Sequence, residues 1–427
     1  MTLVALIHLK LQFMESKIAL IFVILLCLIL VLIISLVLMF WKRFRKTGVR
    51  SFFSVFFLLL ILSLFHFIPR HFKRDYLSKS AGLSQISFRS YADSLHFYIG
   101  SVGNVEAITN PKFYNNFNSV TPENELKMGA LFKNSEIGEY DFSHADSIVN
   151  SALSRNIRVR GHALVWGKLS GVFKRPDLDH YLKDFPIEER SNALWNLMRN
   201  YITTLLKHYK GKIYVWDVVN EPLDFRKAGE LEKNVYYRYL GENYIARIFR
   251  LAHSIDPDVK LYLNEQLNSY DDKRSEAFYN LVRKLKDDNV PINGVGIQSH
   301  IIYMLPNLDE FESYLQKFTA LGLEAEITEL DARLILFRKN PDPYKAQGEF
   351  YGSLLRICIN NPFCRGITFW GFTDNHCWFD NLIWFTKPNE PYLFDKDMNP
   401  KPAFEELYRS FQRYSGQTIS DNDFINY

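Results

Sequence analysis

Eight short runs rich in β-branched and aromatic residues recur between longer amphipathic stretches, and this alternation constrains the fold more than any other feature of the chain. The runs occupy residues 97–102, 119–122, 158–166, 214–220, 260–264, 294–299, 324–328 and 366–372. Helix-like segments lie between them at 143–155, 188–207, 236–255, 272–287, 308–321 and 344–359, with Ser143 and Asp309 as candidate caps. Strands that alternate with helices give an α/β fold with a parallel sheet, and eight is the closure number of a (β/α)8 TIM barrel. In such barrels the loops after the strands converge on one mouth, so chemistry is sought at strand C-termini.

Those ends carry a consistent set of residues: Glu123 and Asn124; His162 and Trp166; Asn220 and Glu221; Asn264; Gln298 and His300; Glu329 and Asp331; Trp370 and Trp378. Each is unremarkable alone, since a lone His or Trp usually has a structural role. Together they describe a polar cleft with aromatic walls. Glu221 and Glu329 stand at the ends of the fourth and seventh runs. Two carboxyls at one mouth suit glycoside hydrolysis, where one protonates the leaving oxygen and the other attacks or directs water. No HExxH, paired Cys-x-x-Cys, GxSxG or Gly-rich phosphate loop competes, so neither a metal nor a cofactor is expected.

The first part of the chain is of another kind. Residues 18–41 are apolar and uncharged, long enough to cross a hydrocarbon core of about 30 Å, and residues 52–68 form a second, shorter run. Lys42, Arg43, Arg45, Lys46 and Arg50 lie between them, in loop 42–51, which the positive-inside rule places in the cytoplasm. The expectation is one or two N-terminal transmembrane helices within residues 1–75, a polar tether at 76–95, a catalytic domain at 96–415 outside the cytoplasm, and a tail at 416–427. A start at Met39 would leave a single signal or anchor sequence; no small-residue cleavage site follows Ile68, which favours a retained anchor. Net charge is only +4, with much of the basic excess in the first eighty residues, so no nucleic-acid partner is expected.

Seven ordered blocks resemble glycoside hydrolase family 10, whose members are mostly endo-1,4-β-xylanases: TPENELK (121–127), RGHALVW (160–166), WDVVNEP (216–222), GVGIQSH (294–300), ITELD (327–331), GITFWGFTD (366–374) and LFDKDMNPKPAF (393–404). The resemblance implies a retaining double displacement on xylan or xylo-oligosaccharides by a monomeric catalytic domain. Glu329 would be the nucleophile and Glu221 the acid/base. His300 and Asp331 would support Glu329, and Asn220 would contact the sugar 2-hydroxyl. Glu123, Asn124, Lys127, His162, Trp166, Gln298 and His300 would line the glycone side, with Trp370 and Trp378 as the aromatic wall.

The chain departs from the family pattern at Gly167, Lys168 and Leu169, at Gln266 where a tyrosine often borders the leaving-group side, and at Met128 in a usual Trp position. These departures keep two alternatives open: a β-1,4-glucan or mixed-linkage glucan hydrolase, and a tethered carbohydrate-binding protein without catalysis. By the same resemblance Cys358 and Cys364 could be bonded; two buried thiols is the alternative, and Cys377 would be unpaired.

Overall fold

The computed structural model describes residues 87–133, 136–167, 177–227, 229–380 and 388–414. The apolar runs 18–41 and 52–68, the start of the expected tether, Lys168, Leu169 and the tail at 416–427 lie outside them. Among the described residues no helix is long and apolar enough to cross a membrane.

The strands are β1 (Tyr98–Val102), β2 (Ser119–Thr121), β3 (Arg158–Trp166), β4 (Ile213–Asn220), β5 (Lys260–Glu265), β6 (Gly294–Ile297), β7 (His300–Ile301), β8 (Glu324–Ala332) and β9 (Cys364–Phe369). Every pairing between them is parallel, in the order β1-β2-β3-β4-β5-β6-β8-β9, and β9 pairs back onto β1 with Tyr98 opposite Gly366. The sheet is therefore a closed eight-stranded barrel, with β7 as a short continuation of β6 that pairs with β8 at Asp331 and Ala332. Strands covered on both faces read as continuous apolar runs, and β4, IYVWDVVN, is buried at every position but Tyr214.

Two differences from the sequence reading bear on the site. The seventh barrel strand does not stop at residue 328 but runs to Ala332, so Glu329 sits within β8, beside an irregularity in the β8–β9 register between Ile327 and Leu330. A bulge re-aims side chains without ending the strand, which the residue pattern does not reveal. The sixth strand stops at Ile297, where Gln298 and a left-handed Ser299 (φ 62°) interrupt it before β7 resumes.

The helices differ mainly at their ends. The expected 236–255 helix is two, Val235–Leu240 and Tyr244–Ile255, broken at Gly241 with φ 77°. Asn307, not Asp309, caps Leu308–Ala320 by accepting from the Asp309 and Glu310 N–H groups. Ser143 is the first residue of its helix rather than its cap, and it donates its N–H to Asp141.

The expected tether is corrected from residue 87 onward. Arg89–Ser94 forms a helix, and Phe88 and Ala92 are fully buried. Six residues cannot hold a helix alone. Phe88 packs on Phe117, Phe404 and Phe411, and burying one such ring is worth about 1.5–3 kcal/mol. The folded domain thus begins before residue 96. Of the two alternatives for the cysteines, the structure has free thiols: Cys358, Cys364 and Cys377 are buried and unbonded. Burial pushes the Cys358 thiol up, and its hydrogen bond with Cys364 adds to the shift.

Candidate active site

Glu329 is buried, and both of its oxygens are engaged. Oε1 accepts from Asn264 Nδ2 at 2.7 Å, and Oε2 meets His300 Nε2 at 3.0 Å. The other face of the same imidazole, Nδ1, contacts Asp331 Oδ2 at 2.8 Å. Burial by itself would lower the His300 pKa, but the Asp331 charge and hydrogen bond, followed by those of Glu329, drive it up to about 10. His300 is therefore an imidazolium donating to a carboxylate on each side. Trp378 also donates its indole N–H to Asp331 Oδ2, at 2.9 Å.

Glu221 has a different setting. It is half-buried just past the end of β4, and its φ of 51° puts it in the left-handed region, a conformation costing a non-glycine residue about 1–3 kcal/mol. Its N–H donates to the Asn264 carbonyl at 2.8 Å. Its Oε1 accepts from Gln298 Nε2 at 3.2 Å.

Three amides connect the two carboxylates. Gln298 Nε2 donates to Glu221 and, at 3.1 Å, to Asn220 Oδ1; Asn264 Nδ2 donates to that same Asn220 Oδ1 at 2.9 Å and to Glu329. Thr328 Oγ1 donates to Asn264 Oδ1 at 2.7 Å, which sets the direction of that amide. The belt needs Gly296 beneath it: a Cβ there would stand 2.1 Å from Asn264 Oδ1. Both lone pairs of Asn220 Oδ1 are taken, so Asn220 can offer a ligand only its N–H donors.

A second layer lies deeper in the barrel. His162 Nδ1 contacts Asp217 Oδ2 at 2.8 Å and stands 4.0 Å from Glu329 Oε1. Asp217 pairs with the fully buried Arg160 at 2.5 Å, and Arg160 reaches Glu326 at 2.6 Å. Burial would lower the Arg160 pKa, but Asp217 and Glu326 reverse that and hold the guanidinium firmly charged. Burial pushes Glu326 up to about 7 despite Arg160, while Arg160 and His162 outweigh burial and lower Asp217. The reading of strand ends missed Arg160, Asp217 and Glu326. Their signal was available: charged residues at interior positions of strands otherwise made of Val, Ile and Leu.

The remaining expected residues divide. Lys127 Nζ donates to Asn124 Oδ1 at 3.1 Å and lies 4.8 Å from the Trp166 ring centroid, which joins the segment after β2 to the end of β3. Glu123, also half-buried, lies on the same segment. The two indoles expected as a wall differ. Trp370 is 7% exposed and wedged edge-on against His162 and His300, whereas Trp378 is 37% exposed and offers the accessible face. Met128 is buried under the Tyr236 hydroxyl, and Lys401, also buried, pairs with Asp374 at 3.0 Å, so the last two blocks of the resemblance tie the barrel to its closing segment.

A closed (β/α)8 barrel whose mouth holds two glutamates joined by an amide belt, one of them gripped by a histidinium, defines a glycoside hydrolase. The model of glycosyl hydrolase family 10 matches residues 89–410, and the chain belongs to that family. It is 32% identical to a β-1,4-xylanase of Dictyoglomus thermophilum over 84% of this chain and 98% of that protein. Among solved structures it resembles native xylanase 10B from Thermotoga maritima, with a TM-score of 0.69 and 31% identity over 78% of this chain and all of that one. It also resembles xylanase 10B from Thermotoga petrophila in complex with xylobiose, with a TM-score of 0.68 and 31% identity over 78% of this chain and 98% of that one.

Proposed function

We propose that the chain is a retaining endo-1,4-β-xylanase in which Glu329 is the nucleophile and Glu221 the acid/base. The amide belt carries this reading, because it holds two carboxylates at one mouth in unequal surroundings. Glu329 receives the His300 imidazole on one oxygen and an amide N–H on the other, which fix its direction. Glu221 accepts from the Gln298 amide, is half-buried and is reachable by solvent, as a group that must both give and take a proton requires.

In the first step Glu221 delivers its proton to the glycosidic oxygen while Glu329 attacks the anomeric carbon, and the bond to the leaving sugar breaks. Esterification removes the negative charge of Glu329, and Glu221, having given up its proton, then acts as base toward water. The attacking water then cleaves the ester and releases Glu329. Asn220, limited to donating, suits the sugar 2-hydroxyl, and the Trp378 face suits the C–H surface of a pyranose. Xylan is favoured over glucan by the names of the relatives and by Gln298. That residue is buried, and both of its N–H groups are committed to the belt, so it cannot yield to a 6-hydroxymethyl without breaking it.

The full-length protein tests this with xylan and barley β-glucan. Release of reducing ends from xylan, with the β-anomer formed first, is expected. Faster cleavage of barley glucan would overturn the substrate, an α-anomer the retaining mechanism, and binding of xylan without new reducing ends the enzyme itself.

The proposal extends to the N-terminus: residues 18–41 and 52–68 act as one or two membrane spans, with loop 42–51 cytoplasmic and a monomeric catalytic domain outside. The charge layout of the sequence supports it. Sequencing the N-terminus of the membrane-extracted protein tests it, and a mature terminus near Ala81 would overturn the retained anchor.

A further inference from the structure

Gln266, the first residue after β5, occupies a place where the barrel loses its ladder. Gln298 still donates its N–H to the Glu265 carbonyl at 3.0 Å, but Ser299 then turns the chain, and no strand neighbour remains on the β5 side. His300 pairs on its other side with β8, where Asp331 donates its N–H to the Ser299 carbonyl. The N–H and C=O of His300 face Gln266 instead. The Gln266 carboxamide meets both: its Oε1 accepts the His300 N–H at 3.2 Å, and its Nε2 donates to the His300 carbonyl at 3.0 Å. A side-chain amide has replaced a missing rung of the sheet.

The replacement is itself anchored. The Gln266 N–H donates to Glu265 Oε1 at 2.8 Å, and its carbonyl accepts from Arg274 Nε at 2.9 Å. Glu265 and Arg274 form a buried pair at 2.8 Å. The same two side chains grip the loop that leaves Glu221: Leu223 donates its N–H to Glu265 Oε2 at 3.0 Å, and Arg274 donates to the carbonyls of Leu223 at 3.3 Å and Asp224 at 2.7 Å.

We propose that Gln266 is a positioning residue for the reaction: backed by the Arg274–Glu265 pair, it sets the His300 backbone and thereby aims the imidazolium that holds Glu329. This rests on the reading of Glu329 as nucleophile. Gln266 then differs in kind from a residue bordering the leaving group, since its amide is spent on the protein. The charged groups facing His300 are Asp331 and Glu329, both on β8, with His162 of β3 behind Glu329.

The test compares wild type with Q266M, which keeps the bulk and loses both bonds, and Q266E, which keeps the acceptor alone, in the full-length protein. Aryl β-xylobiosides, which carry no sugar beyond the scissile bond, and xylopentaose are the substrates. Q266M is expected to lower kcat by about 10- to 100-fold on both while KM changes little, as a displaced catalytic group does. Q266E should fall between the two, and it serves as the variant of record if Q266M fails to fold by circular dichroism. A loss confined to xylopentaose, a change in KM in place of kcat, or a wild-type kcat would overturn the positioning role. E329A in the same assay separates the premise: activity retained there overturns Glu329 as nucleophile, whatever Gln266 does.

Discussion

The two glutamates sit a few hydrogen bonds apart in opposite settings. Glu329 lies inside a strand, buried, with a cation on one oxygen and an amide on the other. Glu221 lies past a strand end, half-buried, on a strained backbone, with the Gln298 amide donating to its carboxyl. The contrast fits a division of labour. A group that must stay aimed benefits from partners on both oxygens, and a group that must cycle its proton benefits from access.

Removing the enclosed partner should have the largest effect. E329A is expected to lower kcat on every substrate by about 10⁴-fold or more, the scale on which losing a covalent nucleophile acts. Azide should then restore turnover and give an α-glycosyl azide, read by NMR; a β-product would reverse the two roles. E221A should be milder and selective, with a loss that shrinks as the leaving group becomes more acidic, measured on aryl xylobiosides. Equal losses for good and poor leaving groups would erase the asymmetry.

H300Q should lower kcat/KM by about 10- to 100-fold by unaiming Glu329. It also has a signature in stability. The folded pKa of His300 lies above its ordinary 6.5, so its contribution is fully present below about 6.5 and is lost as pH rises toward about 10. Denaturant unfolding of wild type and H300Q should therefore differ most near pH 6 and converge near pH 10. A constant difference would mean that the imidazole is not charged there. The smallest effect belongs to W378F, which deletes one N–H on Asp331 and leaves a ring in place; a loss of about 1–1.5 kcal/mol, or roughly tenfold, is expected in kcat/KM.

What the sequence disclosed follows the same contrast. The barrel was legible because strands buried on both faces leave apolar runs, and Glu221 because Pro222 marks the end of one. The position of Glu329 inside β8 was not, since a bulge changes where a side chain points without changing residue types. Gln266 read as a departure from the family pattern, and its bond to His300, 34 residues away, could not be seen without the break at Ser299. Phe88 read as tether because its partners Phe404 and Phe411 lie at the far end of the chain. Arg160, Asp217 and Glu326 were visible as charges in the wrong place, which composition alone does not flag.

The amide belt has a consequence for how this chain tolerates change. Swapping Asn for Asp or Gln for Glu alters almost no volume, and elsewhere in a protein such exchanges are among the gentlest. At Asn264 the swap would replace a donor with a carboxylate oxygen against Glu329, at a contact now 2.7 Å long. At Gln298 it would do the same to Glu221. Exchanges that are gentle elsewhere thus set two carboxylates against each other at this mouth.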